Sequence, residues 1–144
     1  MLHGIDPLLT ADLLHALRAM GHGDKITLVD ANFPGTRCAQ RLINMPGLEI
    51  GAVLRAVLSV LPIDDFIPAP LLTMQVVGDP QAEPPAVMEV RQIARAAGIE
   101  PARLGTTDRE DFYRLAQESF CIVQTGDRRL YANVILTKGV IRPS

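Results

Sequence analysis

Apolar residues recur along this chain in two rhythms. Leu13, Leu14, Leu17 and Met20 fall on one helical face while His15 and Arg18 point away, so a helix is predicted from the Thr10 cap to Gly21. The clearest amphipathic helix follows at 49–61, where Ile50, Val53, Leu54, Val57, Leu58 and Leu61 share a face and Pro62 ends the pattern. Two more helices are predicted at 86–97, closed by Gly98, and at 108–119, capped by Asp108 with Phe112, Leu115, Ala116 and Phe120 inward. Short apolar runs bounded by turn formers predict strands at 25–30, 41–44, 71–77, 102–106, 121–125 and 133–137. The segment after Pro34 reads as loop, as does the proline-rich 78–85 stretch. Strands alternating with helices of these lengths predict an α/β fold: one domain over 1–144, a three-layer sandwich with a largely parallel sheet and helices on both faces.

Composition narrows what such a domain does. A net charge of −2 leaves no electrostatic footprint for nucleic acid or an anionic membrane. No apolar run approaches the roughly 18 residues of a membrane helix, and MLHGIDPLL lacks the basic start and cleavage region of a signal peptide, so a cytoplasmic protein is expected. The two cysteines, Cys38 and Cys121, have no CxxC spacing and read as free thiols. With no tryptophan, two tyrosines and four phenylalanines, the chain lacks the aromatic platforms on which a module that merely holds sugar stacks its ligand.

The chemistry concentrates in MGHGDKITLVDANFPG, residues 20–35. Gly21 is suited to the left-handed turn that closes a helix and Gly23 to a tight fold after it, which puts His22 on an open corner. Asp30 emerges at the carboxyl end of the following strand, where ligands of α/β sheets bind. The two are expected to form facing walls of one site. Blander roles exist: His22 capping the preceding helix, and Asp30 accepting from the turn amides of residues 31–33. Arg109, just inside a helix start, gains nothing from the dipole there; either an exposed ion pair or an anionic or polar ligand accounts for it. Tyr131 and Asn133 are expected to alternate onto one face at the start of the last strand, the tyrosine as a core residue and the asparagine as a turn or edge residue. The GHG motif closes a helix and precedes a strand, the reverse of a dinucleotide fingerprint, and GxxxxGK[ST], GxSxG and HExxH are absent. His22 with Asp24 or Asp30 lacks the second histidine a metal site wants, so no metal is expected.

Taken together, MGHGDKITLVDANFP, REDFYRLAQ and YANVILTKGV resemble, in the same order, the D-ribose pyranase and L-fucose mutarotase family. The likeness covers roughly 1–45 and 105–141; the middle third matches in element order and apolar pattern. It implies an α/β sandwich that forms homo-oligomeric rings, a decamer among the forms, or smaller oligomers, with sites near subunit boundaries and no cofactor. It also implies the acid/base interconversion of monosaccharide ring forms, with His22 as the catalytic histidine. Asp30, Arg109 and Asn133 would bind the sugar, and Tyr131 would be the second proton carrier. Arg109, Gly23 and the NFP segment resemble the fucose branch, whereas the ribose branch tends to have histidine and threonine at the first two. The expected activity is therefore exchange of the α and β anomers of L-fucose or a related sugar. D-ribose pyranase and a non-catalytic, transport-associated sugar binder are the alternatives. Histidine suits the chemistry, since its unperturbed pKa of about 6.5 leaves both protonation states accessible near neutrality.

Overall fold

The computed structural model describes all 144 residues, Met1–Ser144. Helix α1 (Ala11–Ala19) starts where the Thr10 hydroxyl accepts from the Leu13 N–H at 3.2 Å. It ends where the Lys138 ammonium donates to the carbonyls of Leu17 and Met20, at 2.7 and 2.6 Å, an external cap for carbonyls left without intrahelical partners. The elements that follow are β1 (Lys25–Val29), α2 (Gly35–Cys38), β2 (Leu42–Met45), α3 (Ile50–Leu58), β3 (Leu71–Met74) and α4 (Pro85–Ala96). A 3-10 turn, Pro101–Arg103, leads into β4 (Leu104–Thr107), α5 (Arg109–Glu118), β5 (Cys121–Thr125) and β6 (Val134–Thr137).

All six strands join one sheet in the order β2-β5-β1-β6-β3-β4. The pairs β1·β5, β2·β5 and β3·β4 are parallel, whereas β6 runs antiparallel to both its neighbours, β1 and β3. Five strands therefore point one way, and β6 alone opposes them. The alternation of strand side chains separates two cores. Ile26 and Leu28 of β1 pack with Leu13 and Leu17 of α1, Val53 and Val57 of α3, and Val90 of α4. On the other face Val29 joins Cys38 of α2 and Phe112 and Ala116 of α5. Helices cover both faces, as expected of a three-layer sandwich.

The reversed strand decides where the functional groups go. Only eight residues, 126–133, separate β5 from β6, too few for a crossover, so β6 starts at the end of the sheet where β5 finishes. Residues just before β6 consequently share an end with those just after β1, β3 and β4. The segment before β1 lies at the opposite end, against the finish of β6, where the Gly23 N–H donates to the Lys138 carbonyl at 2.9 Å.

Several local expectations are corrected. Residues 35–38 form α2 rather than continuing as loop. The left-handed glycine of the GHG corner is Gly23, with φ 87°, while α1 ends at Met20 without Gly21 entering that region. Tyr131 and Asn133 do not alternate along a strand. They precede β6, Tyr131 has φ 62°, and the Asn133 N–H donates to the Tyr131 carbonyl at 2.8 Å.

Candidate active site

A cavity of about 250 Å³ opens at the sheet end where β1, β3 and β4 finish and β6 begins. Its volume is on the scale of one small polar ligand, below the roughly 300–1,000 Å³ of drug-sized pockets. Asp30, Arg109, Tyr131 and Asn133 all line it, joined by an apolar wall that includes Phe33, Met74 and Leu130. A larger groove of about 580 Å³ between α3 and α4 has none of these residues, and size alone does not make it a site.

Each polar group is held. Asp30 is 6% exposed, and its Oδ1 accepts from the N–H groups of Asn32 and Phe33 at 2.8 and 2.9 Å. The turn-amide role foreseen for Asp30 is thus real, and it uses one oxygen, while Oδ2 accepts from no backbone amide. Burial pushes the carboxyl above its ordinary value against the pull of those backbone bonds and of Asn133, and nearby Asp127 adds to the rise. The Asp30 N–H donates to Asn133 Oδ1 at 2.9 Å, which fixes the orientation of that amide. Gln124, on β5, donates to the carbonyls of Asp30 and Phe33 at 3.2 and 2.6 Å, so the turn after β1 is braced from beneath.

Arg109 is the first residue of α5, whose start is capped by Asp108 accepting from the Asp111 N–H at 2.8 Å. Its guanidinium forms no ion pair and lies 5.1 Å from the Tyr113 ring centroid, so the salt-bridge explanation does not apply. Tyr131 is the only non-glycine residue with positive φ, a conformation that costs about 1–3 kcal/mol and persists where the surroundings enforce it. Its phenol oxygen accepts from the Val77 N–H at 3.1 Å, which leaves the phenol hydrogen for a ligand.

His22 is elsewhere, and the expectation that it faces Asp30 as a second wall is overturned within one copy of the chain. The five residues of β1 lie between them, and at about 3.3 Å per residue a strand of that length keeps its ends roughly 17 Å apart. Nor does His22 cap α1. Its Nε2 lies 2.8 Å from Oδ1 of Asp64, and its ring centroid 4.9 Å from that of Phe66. The imidazole is 42% exposed and Asp64 only 2%. Burial alone would raise the Asp64 carboxyl, but the bonds from His22 and the Phe66 N–H, with the charge of His22, hold it below the usual carboxylate range. An ionised carboxylate only accepts, so Nε2 carries the hydrogen, and Nδ1, free of protein partners, is left to exchange protons with a ligand.

Sequence reasoning missed Asp64. The first aspartate of PIDDF belongs to no motif, and only the fold shows it against the end of β6, where the Asp64 N–H donates to the Thr137 carbonyl at 3.0 Å. Arg103 donates to the carbonyls of Asp64 and Ile67, and Arg142 pairs with Asp65 at 2.8 Å, so this loop is clamped from both sides. A Cβ on Gly139 would stand 2.7 Å from Asp64 Cα and from the Ile63 carbonyl oxygen, both backbone atoms that cannot swing away. Gly139→Ala should therefore cost about 1–3 kcal/mol of stability, read by thermal unfolding, and displace Asp64 from His22.

Acid stability follows from the same carboxyls. Asp127 resembles Asp64 in this: against its burial, Arg129 and the Arg129 and Ile50 amides hold its carboxyl below the ordinary 3.8. A carboxyl depressed in the folded state stabilises fully above its unfolded value, and that contribution disappears as pH falls through the folded value. Asp30, raised, acts in the opposite sense, and its cost is relieved as it protonates. Melting temperature should thus hold or rise slightly as pH descends through the raised Asp30 value, then fall below about pH 4, where the unfolded chain takes up protons that the folded Asp64 and Asp127 still resist. No three His, Cys, Asp or Glu side chains converge to hold a metal ion.

Fold and cavity together define a single-sheet α/β sandwich with a polar, partly apolar-walled pocket at its strand ends. Residues 3–141 match the model of the RbsD / FucU transport protein family, and the chain belongs to that family. It is 40% identical to human fucose mutarotase over 146 residues, covering 97% of this chain and 94% of that one. With the L-fucose mutarotase of Histophilus somni it shares 34% identity over 97% of each chain. Among solved structures, the fucose mutarotase of Streptococcus pneumoniae in complex with L-fucose superposes with a TM-score of 0.92 at 37% identity, over 98% of this chain and 100% of that one. Bacillus subtilis RbsD complexed with D-ribose shares the fold, with a TM-score of 0.75 at 21% identity.

Proposed function

We propose that this protein is a mutarotase, a cofactor-independent isomerase that interconverts the α and β anomers of L-fucose or a closely related sugar. The site is completed between copies of the chain. One copy supplies Asp30, Arg109, Tyr131 and Asn133, and its neighbour supplies His22. The observation that carries this reading is the division of labour within the protomer: a sugar-scale polar cavity at one end of the sheet, and an exposed imidazole backed by a buried carboxylate at the other. Large apolar side chains stand open at both ends, Val77 and Leu130 by the cavity, at 66% and 68% exposure, and Phe66 beside His22, at 65%. Apolar patches beside incomplete polar sites favour contact between copies, and a cyclic arrangement joins the two unlike ends head to tail.

The residues account for each step. Asp30 Oδ2 accepts from a sugar hydroxyl, Arg109 and Asn133 orient the remaining oxygens, and the apolar wall takes the deoxy face of the ring. Tyr131 donates its phenol hydrogen to the ring oxygen while His22 Nδ1 takes the proton from the anomeric hydroxyl. The bond between the anomeric carbon and the ring oxygen then breaks as the O–H electrons form the aldehyde. Rotation about the adjacent carbon–carbon bond exposes the other carbonyl face, and the reverse transfers close the ring. Positioned acid and base groups contribute about 10² to 10⁴-fold, sufficient for a reaction that already proceeds in water.

The chain has no helix long and apolar enough to cross a membrane. Both cysteines are buried and unpaired. With these features we place the enzyme, as one domain over 1–144, in the cytoplasm. Saturation-transfer NMR on equilibrated L-fucose tests the function: added protein should speed anomer exchange, and more strongly than for D-ribose. Binding without faster exchange would instead identify a sugar carrier.

A further inference from the structure

A second cavity of about 250 Å³ lies on the opposite face of β3, bounded by β3, β4, the 80–83 loop and the start of α4. Its polar groups are poorly satisfied. Thr73, 4% exposed, carries a buried hydroxyl with no hydrogen-bond partner, and Arg91 Nε is likewise buried and unbonded. Buried donors are almost always partnered, so two orphans lining one cleft mark a place built for an acceptor from outside the chain.

The backbone adds to this. Helix α4 runs twelve residues from Pro85, and nothing caps its first turn. The N–H of Met88 is the first to find a carbonyl, that of Pro84 at 3.0 Å; those of Ala86 and Val87 meet no acceptor. Two free amides at the positive end of a helix dipole favour an anion. The group nearest that role is the Glu83 carboxylate, 3.4 Å from Arg91 Nε and too poorly aligned to bond it, on a side chain 53% exposed and free to swing into solvent.

We propose that this cleft binds a compact oxyanion, the phosphate or carboxylate group of a small metabolite, held by Arg91, the Thr73 hydroxyl and the Val87 amide. Glu83 acts as a placeholder that the incoming anion displaces. The cleft opens on the other face of β3 from the sugar cavity, with Met74 bordering both.

Amide NMR spectra of the full-length protein, titrated separately with inorganic phosphate and with acetate against chloride at matched ionic strength, test the proposal. Saturable shifts centred on Val87 are expected. Arg91→Gln should weaken binding at least about tenfold, since it removes a charge-assisted pair of bonds. Thr73→Val should weaken it with the fold retained, and Glu83→Gln should tighten it severalfold. Saturation by phosphate alone assigns phosphate esters as the ligand class, and by acetate alone assigns carboxylates. Should Arg91→Gln misfold, Glu83→Gln and Thr73→Val decide. Non-saturating shifts, an equal response to chloride, or affinity unchanged in Glu83→Gln and Thr73→Val would overturn the site.

Discussion

Replacing His22 with alanine is expected to abolish protein-accelerated anomer exchange while leaving the fold in place. The imidazole is 42% exposed and contributes little to either core, so its removal chiefly deprives the reaction of a proton acceptor and donor. The loss should be about 10² to 10⁴-fold, the range that positioned acid/base groups supply. Asp64 loses one partner but keeps the Phe66 amide, so the stability cost should stay at about 1–3 kcal/mol. Saturation-transfer NMR reads the rate and thermal unfolding reads the fold. A near-wild-type exchange rate in this variant removes His22 from the mechanism.

The second large effect is expected at Tyr131. Phenylalanine there preserves the ring, its contacts and the left-handed backbone, and deletes only the hydroxyl. That hydroxyl accepts from the exposed Val77 amide, which water can satisfy, so the fold should lose less than about 1 kcal/mol. Exchange should nevertheless slow by about 10²-fold or more, because the proposed mechanism takes the ring-oxygen proton from that phenol. Loss of affinity with an unchanged limiting rate would make Tyr131 a sugar-orienting group instead. The strain recorded at φ 62° agrees with a side chain whose placement is selected over backbone comfort.

Periodicity located every strand and the four longer helices because each carries an apolar face wide enough to repeat. Helix α2, four residues long, is too short to show a period, and its glycine start reads as loop. The order of the strands was not legible. Pairing β1 between β5 and β6 depends on contacts between segments about a hundred residues apart, and the reversal of β6 follows from a loop length whose meaning appears only once that order is known.

The candidate site was legible in part for the same reason. Asp30 and Arg109 stand at strand-end and helix-start positions that the sequence marks, and the family resemblance added Tyr131 and Asn133. His22 misled because eight residues look close in sequence, whereas an extended strand turns that separation into the full height of the sheet. Asp64 was invisible: its carboxylate faces an imidazole forty-two residues away, and no local pattern encodes that.

In the proposed site one copy holds the sugar and another brings the histidine. Mixing His22→Ala with Tyr131→Phe, after dissociation and reassembly, tests it most directly. Each variant alone should be nearly inactive, yet in a random one-to-one assembly about a quarter of the shared sites receive an intact His22 from one copy and an intact Tyr131 from its neighbour. Exchange activity should therefore return to about a quarter of wild type. A mixture no more active than its parents would contradict a site built between copies.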